Sequence, residues 1–194
     1  MPAARDDEPG AVPVAAGAGW VQIDEPCLVL DLDERTGGAL HLAYQALAEA
    51  SAVKLLLTTY FGGLGDNLET ALALPVAGLH LDLVRAPEQL DEVIERAREE
   101  LVLSLGLVDG RNVWRTDLTA ALARLETVAE RRGAERLMIG PSCSLLHVPV
   151  DLELETGIDD ELRSWLAFAV QKIEELAVLG RGLTGAYQTS SPTL

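Results

Sequence analysis

Alternation of apolar runs with helical stretches predicts an α/β protein, a partial TIM-type (β/α) barrel of about five parallel units out of eight. Three observations carry this. Apolar runs start near residues 21, 53, 78, 101 and 136, about 29 residues apart on average, which is the size of one strand–helix unit. Each run empties into a polar cluster. No glycine-rich phosphate loop follows the first run, where Asp24-Glu25-Pro26 stands instead, so a doubly wound nucleotide fold is disfavoured. A full barrel needs roughly 250 residues, and this chain has 194.

Residues 1–19 are rich in Ala, Pro, Gly and Asp without periodicity and read as a disordered lead-in. Trp20-Val21-Gln22-Ile23 is the first strand. Asp33 can cap a helix to about Ala50, with Leu40, Tyr44 and Leu47 on one face. The second strand is Val53 to Leu57. Its loop runs through Thr58-Thr59-Tyr60-Phe61 and Gly62-Gly63. Asp66 or Asn67 caps a short helix that Pro75 terminates. The third strand spans Ala77 to Leu83. Pro87 suits the first turn of a helix to about Glu100, with Leu90, Val93 and Ile94 inward.

The fourth strand, Leu101 to Val108, ends in Asp109-Gly110-Arg111-Asn112. Thr116 or Asp117 caps the next helix, on which Leu118, Leu122, Leu125 and Val128 repeat at spacings of three and four. The fifth strand opens LMIGPSCSLLHVPVDL, residues 137–152. It reads as hydrophobic throughout, with both faces covered, and Gly140-Pro141 breaks it. Asp159 or Asp160 starts one long final helix with Leu162, Leu166, Val170, Ile173 and Leu176 on its apolar face. Gly180 and Gly182 end it, so the barrel unit spans residues 20–183 and a polar tail spans 184–194.

Fifteen basic against thirty-one acidic residues give a net charge of −16. That field repels phosphate backbones and anionic lipid, so neither nucleic acid nor a membrane surface is an expected partner. No apolar run approaches the roughly 20 residues of a membrane span. The acidic start lacks the order of a signal peptide. Together with two cysteines, Cys27 and Cys143, this points to a cytoplasmic location.

In a barrel the strand ends share one face, so Asp24/Glu25, Thr58/Thr59/Tyr60, Asp82/Arg85, Asp109/Arg111 and Ser142/Cys143 are candidate substrate-binding rim residues, with His147 nearby. Asp24-Glu25 can hold a substrate amine or act as acid and base. The plainer reading is an ion pair with Arg85 or Arg111. Cys143 and His147 are half a zinc site with no supporting C-x-x-C or H-x-x-H, so no metal and no catalytic residue is assigned. His80, inside Leu79-His80-Leu81, reads as a packed, hydrogen-bonded core histidine, and His41 as a surface one.

The segments WVQIDEPCLVLDL, KLLLTTYFGGLGDNLETALALPVAGLHLDLVRAPEQL, VLSLGLVDGRNVWRTDL, PSCSLLHVPVDLELE and SWLAFAVQKIEEL together resemble the later part of the N-terminal domain of cobalamin-independent methionine synthase, from Trp20 to Leu179. That family moves a methyl group from 5-methyltetrahydropteroyl-polyglutamate to homocysteine, using two duplicated barrels with zinc in the C-terminal one. The resemblance implies that Cys143 lies where a zinc-ligating cysteine sits in the other barrel, and Asp82 where the glutamate ligand sits. Leu57 and Thr59 replace the remaining histidine and cysteine. It also implies that the first strands, which include the basic segments gripping the polyglutamate tail, and the whole zinc barrel lie outside this sequence. The chain alone is therefore expected to be inactive, without a cofactor of its own, and to self-associate or pair with a chain supplying the missing units. Alternatives are a non-catalytic small-ligand-binding barrel fragment, a degenerate gene remnant, and a stand-alone uroporphyrinogen decarboxylase-like barrel enzyme.

Overall fold

A computed structural model describes residues 17–50 and 52–190, so most of the expected lead-in and the last four residues of the tail lie outside the described residues. Five strands, β1 (Trp20–Asp24), β2 (Lys54–Thr58), β3 (Gly78–Asp82), β4 (Val102–Val108) and β5 (Leu137–Pro141), form one sheet in the order of the sequence. Every neighbouring pair is parallel. Helices α1 (Glu34–Ala50), α2 (Leu68–Ala73), α3 (Gln89–Arg96) and α4 (Leu118–Arg132) make the crossovers. After β5 come α5 (Asp160–Trp165) and α6 (Ala169–Ser190). This is the expected α/β architecture, with sequential parallel strands as in a barrel wall.

The two faces of the sheet differ. Leu55, Leu57, Leu79, Leu81, Leu103, Leu105 and Leu107 all point to the helix side, where they pack with Leu68, Leu90, Val93, Ile94, Leu125, Val128 and Leu179. Each buried leucine side chain contributes about 1.5–3 kcal/mol relative to exposure. The opposite face carries the alternate residues: Gln22, Asp24, Leu56, Thr58, Gly78, His80, Asp82, Ser104, Gly106, Met138 and Gly140. The strands are thus not hydrophobic throughout. Only the helix side is covered by apolar side chains, and the period-two pattern Leu-His-Leu-Asp-Leu follows from that.

Several local expectations change. Gly140 and Pro141 are the last two residues of β5 rather than a break before its end: they pair with Gly106 and Val108 across a bulge, where a proline N–H is not needed. Cys27 and Leu28 lie in a short 3-10 turn, Pro26–Val29. Helix α3 stops at Arg96, short of Glu100. The Asn67 side chain does not cap α2. It donates to the carbonyls of Leu28 (2.9 Å) and Leu30 (2.6 Å), tying that turn down. Asp33 and Asp117 do cap, accepting from the N–H groups of Thr36 (2.8 Å) and Ala120 (3.0 Å).

The single final helix is two. Between α5 and α6 the chain runs extended and bonds the segment after β4, with Arg115 N–H donating to Trp165 O (2.8 Å) and Ala167 N–H to Val113 O (2.8 Å). Those bonds, with Leu166 and Phe168 buried against Leu152, outweigh the helical periodicity. Val170 and Ile173 are exposed as a result, and Gly180 and Gly182 lie inside α6.

Arg132, at the end of α4, is 9% exposed and donates to the carbonyls of Ala97, Arg98, Glu99 and Leu101. It satisfies the turn that α3 leaves when it ends early. Replacing Arg132 by Met keeps the bulk and removes these donors. Urea unfolding should show a loss of about 3 kcal/mol with an unchanged slope, and a loss below about 0.5 kcal/mol would contradict this role.

Candidate functional site

The C-terminal ends of the five strands form one rim, as parallel pairing requires. Beneath it, on the concave face, lies an open pocket of ≈ 390 Å³ reached by Asp24, Tyr60, Cys143 and Ser144 from the rim and by Gln22, Leu56, Thr58, His80, Ser104 and Met138 from the strands. Of the expected rim residues, Asp24, Thr58, Tyr60 and Cys143 meet there. The others serve the rim itself.

Asp24 accepts from Gln22 Nε2 (2.7 Å) and from the Tyr60 hydroxyl (3.3 Å). Glu25 turns away from the pocket. It accepts from the Tyr44 hydroxyl of α1 (3.2 Å) and from the Cys27 thiol (3.5 Å). The expected ion pair with Arg85 or Arg111 is thus replaced by neutral donors. Burial first, and then the Glu25 carboxylate, push the Tyr44 phenol well above its ordinary value. The Cys27 thiol is raised by burial and by Glu25, so it stays protonated.

Asp82 is 1% exposed and works as a staple. One oxygen accepts from the N–H groups of Val84 (3.0 Å) and Arg85 (2.9 Å), and the other from Phe61 N–H (2.9 Å). Phe61 has φ +76°, a left-handed backbone that a bulky side chain adopts only under constraint. Asp82 supplies that constraint. The Phe61 ring is met edge-on by Tyr60 (4.7 Å) and His147 (5.5 Å), and the Arg111 guanidinium sits 4.5 Å over it. Arg111 and His147 therefore meet at Phe61, a residue the sequence placed only in a loop. Asp109 closes its own turn, accepting from Arg111 N–H (2.8 Å) and Asn112 Nδ2 (2.6 Å). The Thr59 hydroxyl donates to His80 O (2.9 Å), and Ser142 Oγ accepts from Gly110 N–H (3.2 Å).

The resemblance sets four residues, Leu57, Thr59, Asp82 and Cys143, against zinc ligands, and their suitability as donors follows from their surroundings. Leu57 is fully buried on the helix side. The Thr59 hydroxyl and both Asp82 oxygens are engaged with backbone. Cys143 is 4% exposed, and burial raises its thiol, which donates to Ser144 O at 3.8 Å. His147 is occupied with Phe61 rather than with Cys143. This donor set does not fit a zinc ion.

His80 is the packed, hydrogen-bonded histidine the sequence suggested, with Nδ1 2.8 Å from Ser104 Oγ. It nonetheless lines the pocket. Its ring needs Gly106 beside it: a Cβ there would lie 3.0 Å from Nε2 and 2.7 Å from Leu81 O. Gln22, His80 and Ser104 were missed as site residues, although the strict alternation of β3 and β4 marks their row as one face.

Fold and rim define a β/α-barrel-type domain with a polar mouth and, among the described residues, no cluster of side chains that could hold a metal ion. The family profile described as "Cobalamin-independent synthase, N-terminal domain" matches residues 14–133. The chain is 65% identical over 169 residues to a 5-methyltetrahydropteroyltriglutamate–homocysteine methyltransferase of Chelativorans sp. (strain BNC1), and 63% over 172 residues to one of Rhodopseudomonas palustris (strain ATCC BAA-98 / CGA009). These matches cover 87% and 88% of this chain but only 22% of each relative. The chain therefore belongs to the cobalamin-independent methionine synthase family and corresponds to part of its N-terminal domain. In fold it is similar to a putative vitamin-B12-independent methionine synthase from Listeria monocytogenes (TM-score 0.60, 20% identity, 89% of this chain and 50% of that one). It is also similar to a methyltransferase from Methanosarcina mazei (TM-score 0.55, 17% identity, 90% of this chain and 44% of that one).

Burial lowers the His80 pKa, while Asp82 and Asp24 oppose that shift more weakly. A base depressed in the folded state contributes fully above its unfolded value, about 6.5. That contribution is lost as pH falls below it. Thermal melts from pH 8 to pH 5 should therefore show wild type losing stability relative to His80→Asn below about pH 6.5. A pH-independent difference between the two would contradict a neutral buried His80.

Proposed function

We propose that this chain is a segment of the N-terminal barrel in a methyl transfer from 5-methyltetrahydropteroyl-polyglutamate to homocysteine, and that it acts only when the rest of the protein is supplied. In that reaction the bond from folate nitrogen to the methyl carbon breaks and a bond from the homocysteine sulfur forms. The observation that carries the reading is the sheet itself. Among the described residues β1 and β5 each have one strand neighbour, so the ring stays open at two edges. High identity over a fifth of each relative's length supports the same assignment.

The roles divide accordingly. The family resemblance implies that the zinc activating the homocysteine thiol is held by the C-terminal barrel of the complete enzyme, and the donors of this rim do not suit it. This chain supplies a wall and a rim stiffened by Asp82, Phe61 and Arg111. Its partners are the missing β/α units, in the same polypeptide or in another chain, and its compartment is the cytoplasm. A complete stand-alone barrel enzyme would need a closed ring, which five strands do not make.

Expressing the chain with a relative's polypeptide lacking the matched segment tests this. Methyl transfer to homocysteine should appear only when both are present. Turnover by the chain alone, or a stable complex with no turnover, would contradict it.

A further inference from the structure

A second, smaller apolar cluster sits apart from the main core. Leu152, Leu166 and Phe168 are buried together, with Val113 and Ile158 packed against them. They belong to a strap with two legs, residues 113–116 after β4 and residues 151–168 after β5. The legs cross as a short antiparallel ribbon, with Trp114 opposite Leu166. Arg115 N–H donates to Trp165 O (2.8 Å), Ala167 N–H to Val113 O (2.8 Å) and Arg115 Nε to Leu166 O (3.1 Å). A two-stranded ribbon this short is marginal by itself. Trp114 and Trp165 add little burial, being 52% and 54% exposed. The strap therefore depends on its fastening to α6.

Pro149 O and Val150 O accept from the N–H groups of Ala169 and Val170 (2.9 Å each), which fixes a hinge on α6. Gln171 holds the longer leg, accepting from Leu152 N–H (3.1 Å). Two charged side chains hold the shorter one. Lys172 is 0% exposed, and its ammonium donates to Trp114 O (3.0 Å). Glu175, one turn on, is 9% exposed and accepts from Thr116 N–H through Oε1 (3.1 Å). Both are short of partners. Among the described residues the ammonium bonds only Trp114 O, and Glu175 Oε2 bonds nothing. Burial lowers the Lys172 pKa against the opposing pull of Glu175 and Asp109. Buried charge left short of partners is costly. We propose that the strap is a lid that opens while the sheet stays folded, with Lys172 and Glu175 as its latch. Opening it exposes only the small cluster, whereas the leucines of β2, β3 and β4 stay packed on the helices. The shorter leg starts two residues after Arg111, so the latch lets this part of the rim move without unfolding the sheet. Such a lid needs neither methyl transfer nor a closed ring.

Residue-resolved hydrogen exchange of the whole chain at low urea tests this. The amides of Arg115, Thr116 and Ala167 should share one opening. They should exchange at least ~100-fold faster than the amides of Leu83 and Val102, which bond Gly106 O and Ala77 O in the sheet. Lys172→Met strands the Glu175 carboxylate and should speed the strap amides at least ~10-fold more, leaving the two sheet amides unchanged. Lys172→Met combined with Glu175→Gln removes both charges and keeps an acceptor for Thr116 N–H. Its strap protection should return to within ~3-fold of wild type. Strap and sheet amides that exchange together in wild type, a Lys172→Met chain in which both sets speed up equally, or a double variant as loose as the single one would each overturn the proposal.

Discussion

Alternation along five strands is the constraint on which this structure depends. Every second residue of β2, β3 and β4 on the helix side is leucine, and those leucines are buried together with the crossover helices. A slip of one residue would move that whole set to the open face and bring Gln22, Thr58, His80 and Ser104 against the helices, so the register is strongly fixed. The same constraint decides what the other face can be. It collects glycines, hydroxyls, a histidine and two aspartates, and the pocket follows from their size and polarity.

Much of the rim is built from groups that hold backbone. Asp82 satisfies three N–H groups from two loops. Each is a charge-assisted bond in a buried site, where such bonds are strongest and loss of the acceptor is most costly. Ser142 holds Gly110, and Gly110 must lack a side chain because a Cβ would lie 2.9 Å from Cys143 Sγ. Thr59 is spent on the His80 carbonyl. A rim so engaged is stiff, and its free chemistry is confined to Asp24, Tyr60 and the Phe61 platform. Asp82 and Cys143 are fixed by packing and backbone bonds.

The strand–helix order, the five strands and three of the helix faces were legible from the sequence, because leucine periodicity directly reports burial. The rim location was legible too, since parallel strands leave no choice of side. Contacts between elements were not. Nothing local says that Glu25 bonds Tyr44 nineteen residues on, or that Asn67 reaches back to Leu28. The final helix misled because Leu162 and Leu166 have helical spacing, while backbone bonds from Arg115 and Ala167 hold the chain extended. Gly140-Pro141 read as a break after Ile139, yet the bulge against Val108 keeps both in β5, which ends at Pro141. His80 was correctly placed as packed and bonded, but a core histidine in a one-sided sheet can still face a pocket.

An open sheet with a defined register predicts how its edge amides exchange. Glu25 N–H bonds β2, so alternation turns the amides of Val21 and Ile23 toward β2 and those of Gln22 and Asp24 outward. Hydrogen exchange, resolved by residue in the chain at a dilution where sedimentation shows a monomer, tests this most directly. Gln22 and Asp24 should exchange at least ~100-fold faster than Val21 and Ile23. Equal protection of all four would mean that β1 is paired on both sides, and the open five-stranded wall would be wrong.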